Sequence, residues 1–185
     1  SNTIHSVDLS TPKWQKGDGM ITKETGLGLI AYGSDCAMIA FWDEEKIGIC
    51  HAGWRGLVDG LIDTMAKEFP SGRCEVGPLL RTFEIKEDEC YERIQGACGD
   101  KYFSRTDDKI TFNFQRAILE RLHHLPCVFD PRNTGSYLEL ASWRRDRRRG
   151  NGTQNRLVVW RGEDRVVQTK LFTPTENFRS YFASH

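Results

Sequence analysis

The clearest periodic signal in this 185-residue chain lies at 57–69, where Leu57, Leu61, Met65 and Phe69 share one stripe and Asp59, Asp63 and Lys67 the opposite one. That 3.6-residue period predicts an amphipathic helix, stopped by Pro70-Ser71-Gly72. Upstream the pattern changes to short apolar runs. Residues 27–32 and 37–42 are almost continuously apolar, as strands buried on both faces are. A third run, 47–51, follows the charged turn Asp43-Glu44-Glu45-Lys46.

Downstream, 73–80 opens another strand and 86–95 is charged and helical in pattern. Residues 111–124 carry Phe114, Ala117, Ile118 and Leu122 as a second amphipathic helix, and 127–129 form a short strand. Residues 157–161 and 165–171 pair as a hairpin around Gly162-Glu163-Asp164. The basic, glycine-containing stretch 144–155 reads as a loop. Strands and helices interleave without regular alternation, which predicts one mixed-sheet α/β domain over residues 1–185 rather than a doubly wound one.

Charge changes the picture by subtraction. Twenty-six Lys and Arg balance twenty-six Asp and Glu, so no global field favours nucleic acid or a membrane surface. No apolar run reaches transmembrane length and no charged-then-apolar leader is present. Six cysteines without a CxxC pair read as reduced thiols, and the expected location is the cytoplasm.

The chemistry concentrates at the end of the third apolar run. His51 is followed by Ala52-Gly53-Trp54-Arg55-Gly56, a strand that stops, turns through glycine and feeds a helix. An imidazole, a guanidinium and free backbone N–H groups meet there, which suits a metal or an anion. A tight strand–helix turn with glycines for close packing explains the same residues equally well. Asp35-Cys36 precedes the neighbouring strand, so a hairpin can bring residues 36 and 51 side by side, and His5 would supply a third donor. Thiolate and imidazole are ligands that zinc selects, yet a strand cysteine also serves as a small hydrophobe, and spacing leaves both readings open. Cys50 alternates with His51 and faces the other way. Ser142-Trp143-Arg144-Arg145-Asp146-Arg147-Arg148-Arg149 is the strongest charge run: a solvated loop, or a phosphate site built on paired guanidinium donors.

Taken in order, these pieces resemble the laccase-domain, or YfiH-type, family of purine nucleoside phosphorylases, first described as multicopper polyphenol oxidases. The residues that carry the resemblance are Thr3-Ile4-His5-Ser6, Gly17-Asp18-Gly19-Met20-Ile21-Thr22, Ser34-Asp35-Cys36 and, most specifically, His51-Ala52-Gly53-Trp54-Arg55-Gly56-Leu57. Gly77-Pro78, Phe83-Glu84-Ile85 and Ser142-Trp143-Arg144-Arg145-Asp146 resemble later blocks. Ala37 stands where the family has proline, and Asn133 where relatives often have cysteine. Family members usually carry a further segment before the histidine that His5 matches.

The resemblance implies a layered α/β/β/α sandwich with mixed sheets. It also implies a zinc ion held by His5, Cys36 and His51, the same three residues forming the catalytic centre. Copper fits less well, because three donors are too few for several coppers. The implied reaction is phosphorolysis of adenosine, inosine or methylthioadenosine to a free base and ribose 1-phosphate, with adenosine deamination as a second activity. Arg55, with Arg144 or Arg145, would hold phosphate, and Asp18 or Asp35 would position a ligand or a substrate hydroxyl. Two rivals remain, the first using the same residues without metal and the second the Arg-rich run. One is a Cys36–His51 amide hydrolase or peptidoglycan-precursor editing factor; the other is a non-catalytic nucleotide-binding relative.

Overall fold

The computed structural model describes residues 2–11, 17–146 and 154–177. In chain order its elements begin with β1 (Ile4–Ser6), β2 (Gly19–Thr22), β3 (Leu29–Gly33), β4 (Ala37–Trp42) and β5 (Ile47–Ala52). Helices α1 (Trp54–Val58) and α2 (Leu61–Glu68) lead to β6 (Arg73–Val76) and β7 (Thr82–Ile85). Then come α3 (Glu89–Cys98), a 3-10 turn at Asp100–Tyr102, β8 (Phe103–Thr106), β9 (Lys109–Asn113), α4 (Phe114–Arg121) and β10 (Cys127–Phe129). The last elements are α5 (Trp143–Asp146), β11 (Asn155–Arg161) and β12 (Val167–Phe172).

A six-stranded mixed sheet in the order β1-β2-β5-β4-β6-β10 forms the centre. Its end pairs β1/β2 and β6/β10 are parallel and the inner pairs antiparallel. Alternation along its strands assigns two faces. Ala37, Ile39, Phe41, Cys50 and Ala52 pack with Leu57, Leu61, Ile62, Met65 and Phe69 of the helical layer. Met38, Ala40, Ile47 and Ile49 pack on Leu29, Ala31, Leu157 and Val159 of a second, antiparallel sheet ordered β12-β11-β3. Burial on both sides is why 37–42 reads as unbroken apolar sequence. Each fully buried large side chain here contributes about 1.5–3 kcal/mol. The mixed-sheet, layered α/β expectation is met.

Three details differ from the sequence reading. The 57–69 helix is two helices, broken at Gly60, whose φ of +79° is a left-handed turn that glycine adopts without penalty. The predicted stripe survives the break, since Leu57, Leu61, Met65 and Phe69 are all fully buried. The strand in 27–32 is buried on one face only: Leu29, Ala31 and Gly33 point inward while Ile30 and Tyr32 are half-exposed. β3 is therefore an edge strand of the second sheet, not a neighbour of β4. In 111–124 the first three residues extend β9, and Asn113 then caps α4 by accepting a hydrogen bond from the Arg116 N–H at 3.0 Å.

A third small sheet, β7-β9-β8, escaped the pattern altogether. Its inward face is aromatic, with Phe83 edge-on to Phe112 at 5.4 Å and Phe103 5.1 Å from Phe112. Of the basic run, Arg144 and Arg145 lie in α5; Arg147, Arg148 and Arg149 lie outside the described residues. No helix among the described residues is long and apolar enough to cross a membrane.

Candidate functional site

Register puts two of the predicted trio, His5 and His51, on one face of the central sheet. His5 pairs with Met20, Met20 with Ile49, and Met38 with His51. Paired residues share a face, and so do residues two apart on one strand. His5 and His51 therefore both face the second sheet, while Cys50 faces the helices among the core residues; Cys36 precedes β4 and is not placed by the register.

Between the two sheets lies a cavity of about 220 Å³, lined by His5, Asp18 and His51, with Met20, Ile49 and Tyr32 among its other walls. The histidines are held by local geometry. The Thr3 carbonyl accepts from both Asp18 N–H and Gly19 N–H at 3.1 Å, which pins the start of β1 against β2. His5 then lies directly over Gly17, where an added Cβ would come within 2.8 Å of its Nε2. On the other wall the His51 N–H donates to the Asp18 carbonyl at 2.8 Å, and the Asp18 carboxylate stands 3.8 Å from His51 Nδ1. Burial pushes the His51 pKa below the ordinary imidazole value, and the charge of Asp18 opposes that shift.

Cys36 stands beside this cavity rather than on its wall. Its sulfur rests against the turn between β5 and α1, where a Cβ on Gly53 would sit 3.0 Å from Sγ. Burial, reinforced by the charge of Asp35, pushes its thiol up to about 11. Two imidazoles and one thiol are a donor set that suits zinc. Gly17 and Gly53 provide the room that side chains would fill. As the residues stand, no three His, Cys, Asp or Glu side chains among the described residues are gathered closely enough to hold a metal ion. Coordination requires them to close in.

The remaining predicted residues separate. Arg55 stacks on the Trp54 ring at 4.3 Å, and with Arg93 and Arg144 it acts electrostatically on Cys90 in the first turn of α3. Neither Arg55 nor Arg144 lines the His5–His51 cavity; Arg144 instead covers Phe83 at 4.5 Å. Asp35 and Arg145, expected as substrate ligands, are occupied within the chain. The Asp35 carboxylate accepts from Thr134 Oγ1 at 2.7 Å and from the Arg144 N–H at 2.8 Å. The Arg145 guanidinium donates to the carbonyls of Thr134, Tyr137 and Leu140 and to the Asp146 carboxylate. The hydrogen-bonding capacity of both is taken up by groups distant in sequence or in the turns around α5, contacts that no local pattern announces. Tyr32, Thr134 and Asn155 were missed for the same reason.

A layered α/β chain with a histidine–carboxylate cavity between its two central sheets is the class that the geometry defines. The family model for multi-copper polyphenol oxidoreductase laccase matches residues 1–161, and the chain belongs to that family. It is 29% identical over 152 residues to a purine nucleoside phosphorylase of Aquifex aeolicus, covering 78% of this chain and 71% of that one. A purine nucleoside phosphorylase of Borreliella burgdorferi is 31% identical over 87 residues, 46% of this chain and 36% of that relative's length. Among solved structures, YfiH of Bacillus licheniformis shares the fold with a TM-score of 0.69 and 22% identity, over 79% of this chain and 66% of that one.

Proposed function

We propose that this chain carries out phosphorolysis of a purine nucleoside, releasing the base and ribose 1-phosphate, at the cavity between the two central sheets. The observation that carries the reading is the convergence of His5, Asp18 and His51 on that cavity, in a chain whose relatives are named purine nucleoside phosphorylases. Adenosine, inosine and methylthioadenosine are the candidate substrates, and adenosine deamination is a candidate second activity.

His5, Cys36 and His51 would hold a zinc ion, which when bound supplies a Lewis acid and lowers the pKa of a coordinated water. The chain's own residues do the rest. Asp18 faces His51 Nδ1, which fixes the ring and leaves Nε2 directed away from the carboxylate. Met20 and Ile49 give the cavity apolar walls that exclude water from a bound base. Arg55 and Arg144 are the guanidinium candidates for phosphate at the sheet's end, with Arg145 already engaged. The raised Cys36 thiol argues against a free Cys–His nucleophile, because a protonated thiol is a poor one.

The test is incubation of zinc-loaded protein with each nucleoside, with and without inorganic phosphate, following base release by chromatography. Phosphate-dependent release of hypoxanthine from inosine, or of adenine from the other two, is the expected result. Absence of phosphate-dependent release from all three overturns the reading.

A further inference from the structure

Buried polar side chains are concentrated in one place. Among the described residues, Thr22, Thr134, Ser142, Asn155 and Arg161 are the polar or charged residues removed from solvent. Three of these five, Thr134, Ser142 and Asn155, surround the segment that ends in Cys36. A buried hydroxyl or amide costs about 1–3 kcal/mol unless it is hydrogen-bonded, and a valine or leucine would fill the same space at no such cost. Their bonds therefore indicate what they are for.

Thr134 is completely buried, and its hydroxyl donates to Asp35 Oδ1 at 2.7 Å across 99 positions of sequence. The other carboxylate oxygen, Oδ2, accepts from the Arg144 N–H at 2.8 Å, and the Asp35 carbonyl accepts from the Leu80 N–H at 3.0 Å. Asn155 clamps Ala141 through both of its backbone groups, at 2.9 and 3.1 Å, and its Nδ2 also reaches the Ser34 carbonyl at 3.4 Å. Ser142 closes the first turn of α5, its Oγ accepting from the Arg145 N–H at 3.2 Å. On the far side of Cys36, the Met38 carbonyl accepts from the Gly77 N–H at 2.9 Å. Four separate stretches of chain thus fix residues 34–38. Only the Cys36 side chain is left to face the Gly53 turn.

We propose that Thr134 and Asp35 are positioning residues for Cys36: the hydroxyl holds the carboxylate, the carboxylate holds the strand entry, and the thiol is thereby kept against the Gly53 turn beside the cavity. This rests on the reading of Cys36 as a metal donor. Asp35 accordingly acts through its neighbour and does not contact the nucleoside. A hydrogen-bonded network of this kind is rigid, and removal of its single hydroxyl leaves Asp35 Oδ1 without that donor.

The test uses Thr134→Val, which keeps the shape and loses the donor, and Thr134→Ser, which keeps the donor. Two readouts are compared with the parent protein: zinc affinity by chelator competition, and the rate of iodoacetamide labelling at the Cys36 peptide by mass spectrometry. The expected result for the valine variant is a zinc affinity about tenfold lower, as for other residues that orient a metal ligand. Cys36 labelling should rise several-fold in metal-free protein, with Cys50 and Cys74 unchanged, and serine should restore both values. If the valine variant does not fold, Thr134→Ala removes the same hydroxyl without adding bulk. A variant that melts earlier yet leaves zinc affinity and Cys36 labelling unchanged makes Thr134 merely structural and overturns the proposal. Failure of the parent to bind zinc or release base overturns the underlying reading instead, a separate result, since labelling of Cys36 is measured without either.

Discussion

Asp18 meets His51 twice, through a 2.8 Å backbone bond from the His51 N–H to its carbonyl and through a carboxylate 3.8 Å from Nδ1. One residue thereby fixes both the position of β5 beside β2 and the electrostatics of the imidazole. Asp18→Asn separates these roles, because it keeps the backbone bond and removes the charge. The His51 pKa, already lowered by burial, should fall further once the opposing charge is gone. Titration of the His51 ring signals by NMR checks this, and an unmoved pKa would show that the carboxylate does not act on the ring.

The same shift gives a pH dependence of stability. A histidine whose folded-state pKa is depressed binds its proton more readily when unfolded. In metal-free protein the His51 contribution is therefore intact above the ordinary imidazole value of about 6.5 and declines as pH falls through that value toward the folded pKa. His51→Gln should flatten this part of the curve. Urea denaturation midpoints between neutral and mildly acidic pH measure it, and identical curves for parent and variant would contradict it.

Cys36 is half-buried just before β4, against the Gly53 turn, whereas Cys50 is buried in β5 on the side of the helices. Cys36→Ser should abolish stable zinc binding, since a neutral hydroxyl is a far poorer ligand than a thiolate. Cys50→Ser should leave zinc binding intact and cost about 1–3 kcal/mol by burying a hydroxyl among apolar neighbours. Metal content together with melting curves distinguishes them. Equal metal loss in both variants would disprove the distinction between the two thiols.

Gly53 precedes α1 with φ −83°, a conformation open to any residue, so Gly53→Ala introduces no backbone strain. Its methyl group would nevertheless sit 3.0 Å from Cys36 Sγ. Zinc affinity and base release should drop about tenfold, the scale for a displaced ligand-orienting group, while the melting temperature changes little. A variant with full zinc affinity would mean that the sulfur has room to spare.

Gly48 on β5 is the corresponding case for the fold alone. An added Cβ would stand 2.8 Å from the Phe69 ring and 3.1 Å from the Met65 methyl. Gly48→Ala should cost about 1–3 kcal/mol by overpacking, with the helical layer displaced and the cavity on the opposite face unaltered. Denaturant melts check the first part and zinc affinity the second.

The residues show why some of this was legible in the sequence. β4 and the Leu57–Phe69 stripe were readable because burial on both faces, or on one helical face, leaves a period in the chain itself. The β7-β9-β8 sheet was not readable: its strands are short and half-exposed, and Phe112 and Phe114 fit a helical stripe as well as a strand–helix junction. At the site, His5 and His51 share a face through the β1-β2-β5 ladders, whereas the hairpin reasoning concerns residues 36 and 51. The engagement of Asp35 by Thr134 depends on a contact 99 positions away, and no local pattern encodes it. Charge runs mislead for the same reason, as Arg145 shows by spending its donors on three carbonyls of its own chain.

β3 is an edge strand: it is hydrogen-bonded to β11 on one side, and no ladder joins it to the six-stranded sheet. The cavity thus has His5, Asp18 and His51 on one jaw and the Ile30-Ala31-Tyr32 stretch of β3 on the other, with a packed side-chain layer between the sheets. A hydrogen-bonded wall would have a fixed spacing, whereas this one has the thickness of Leu29, Ala31, Ile49 and Leu157. The aperture is in effect a caliper whose setting is the volume of a few aliphatic groups. One methylene gained or lost in that layer would resize the cavity without touching a polar residue.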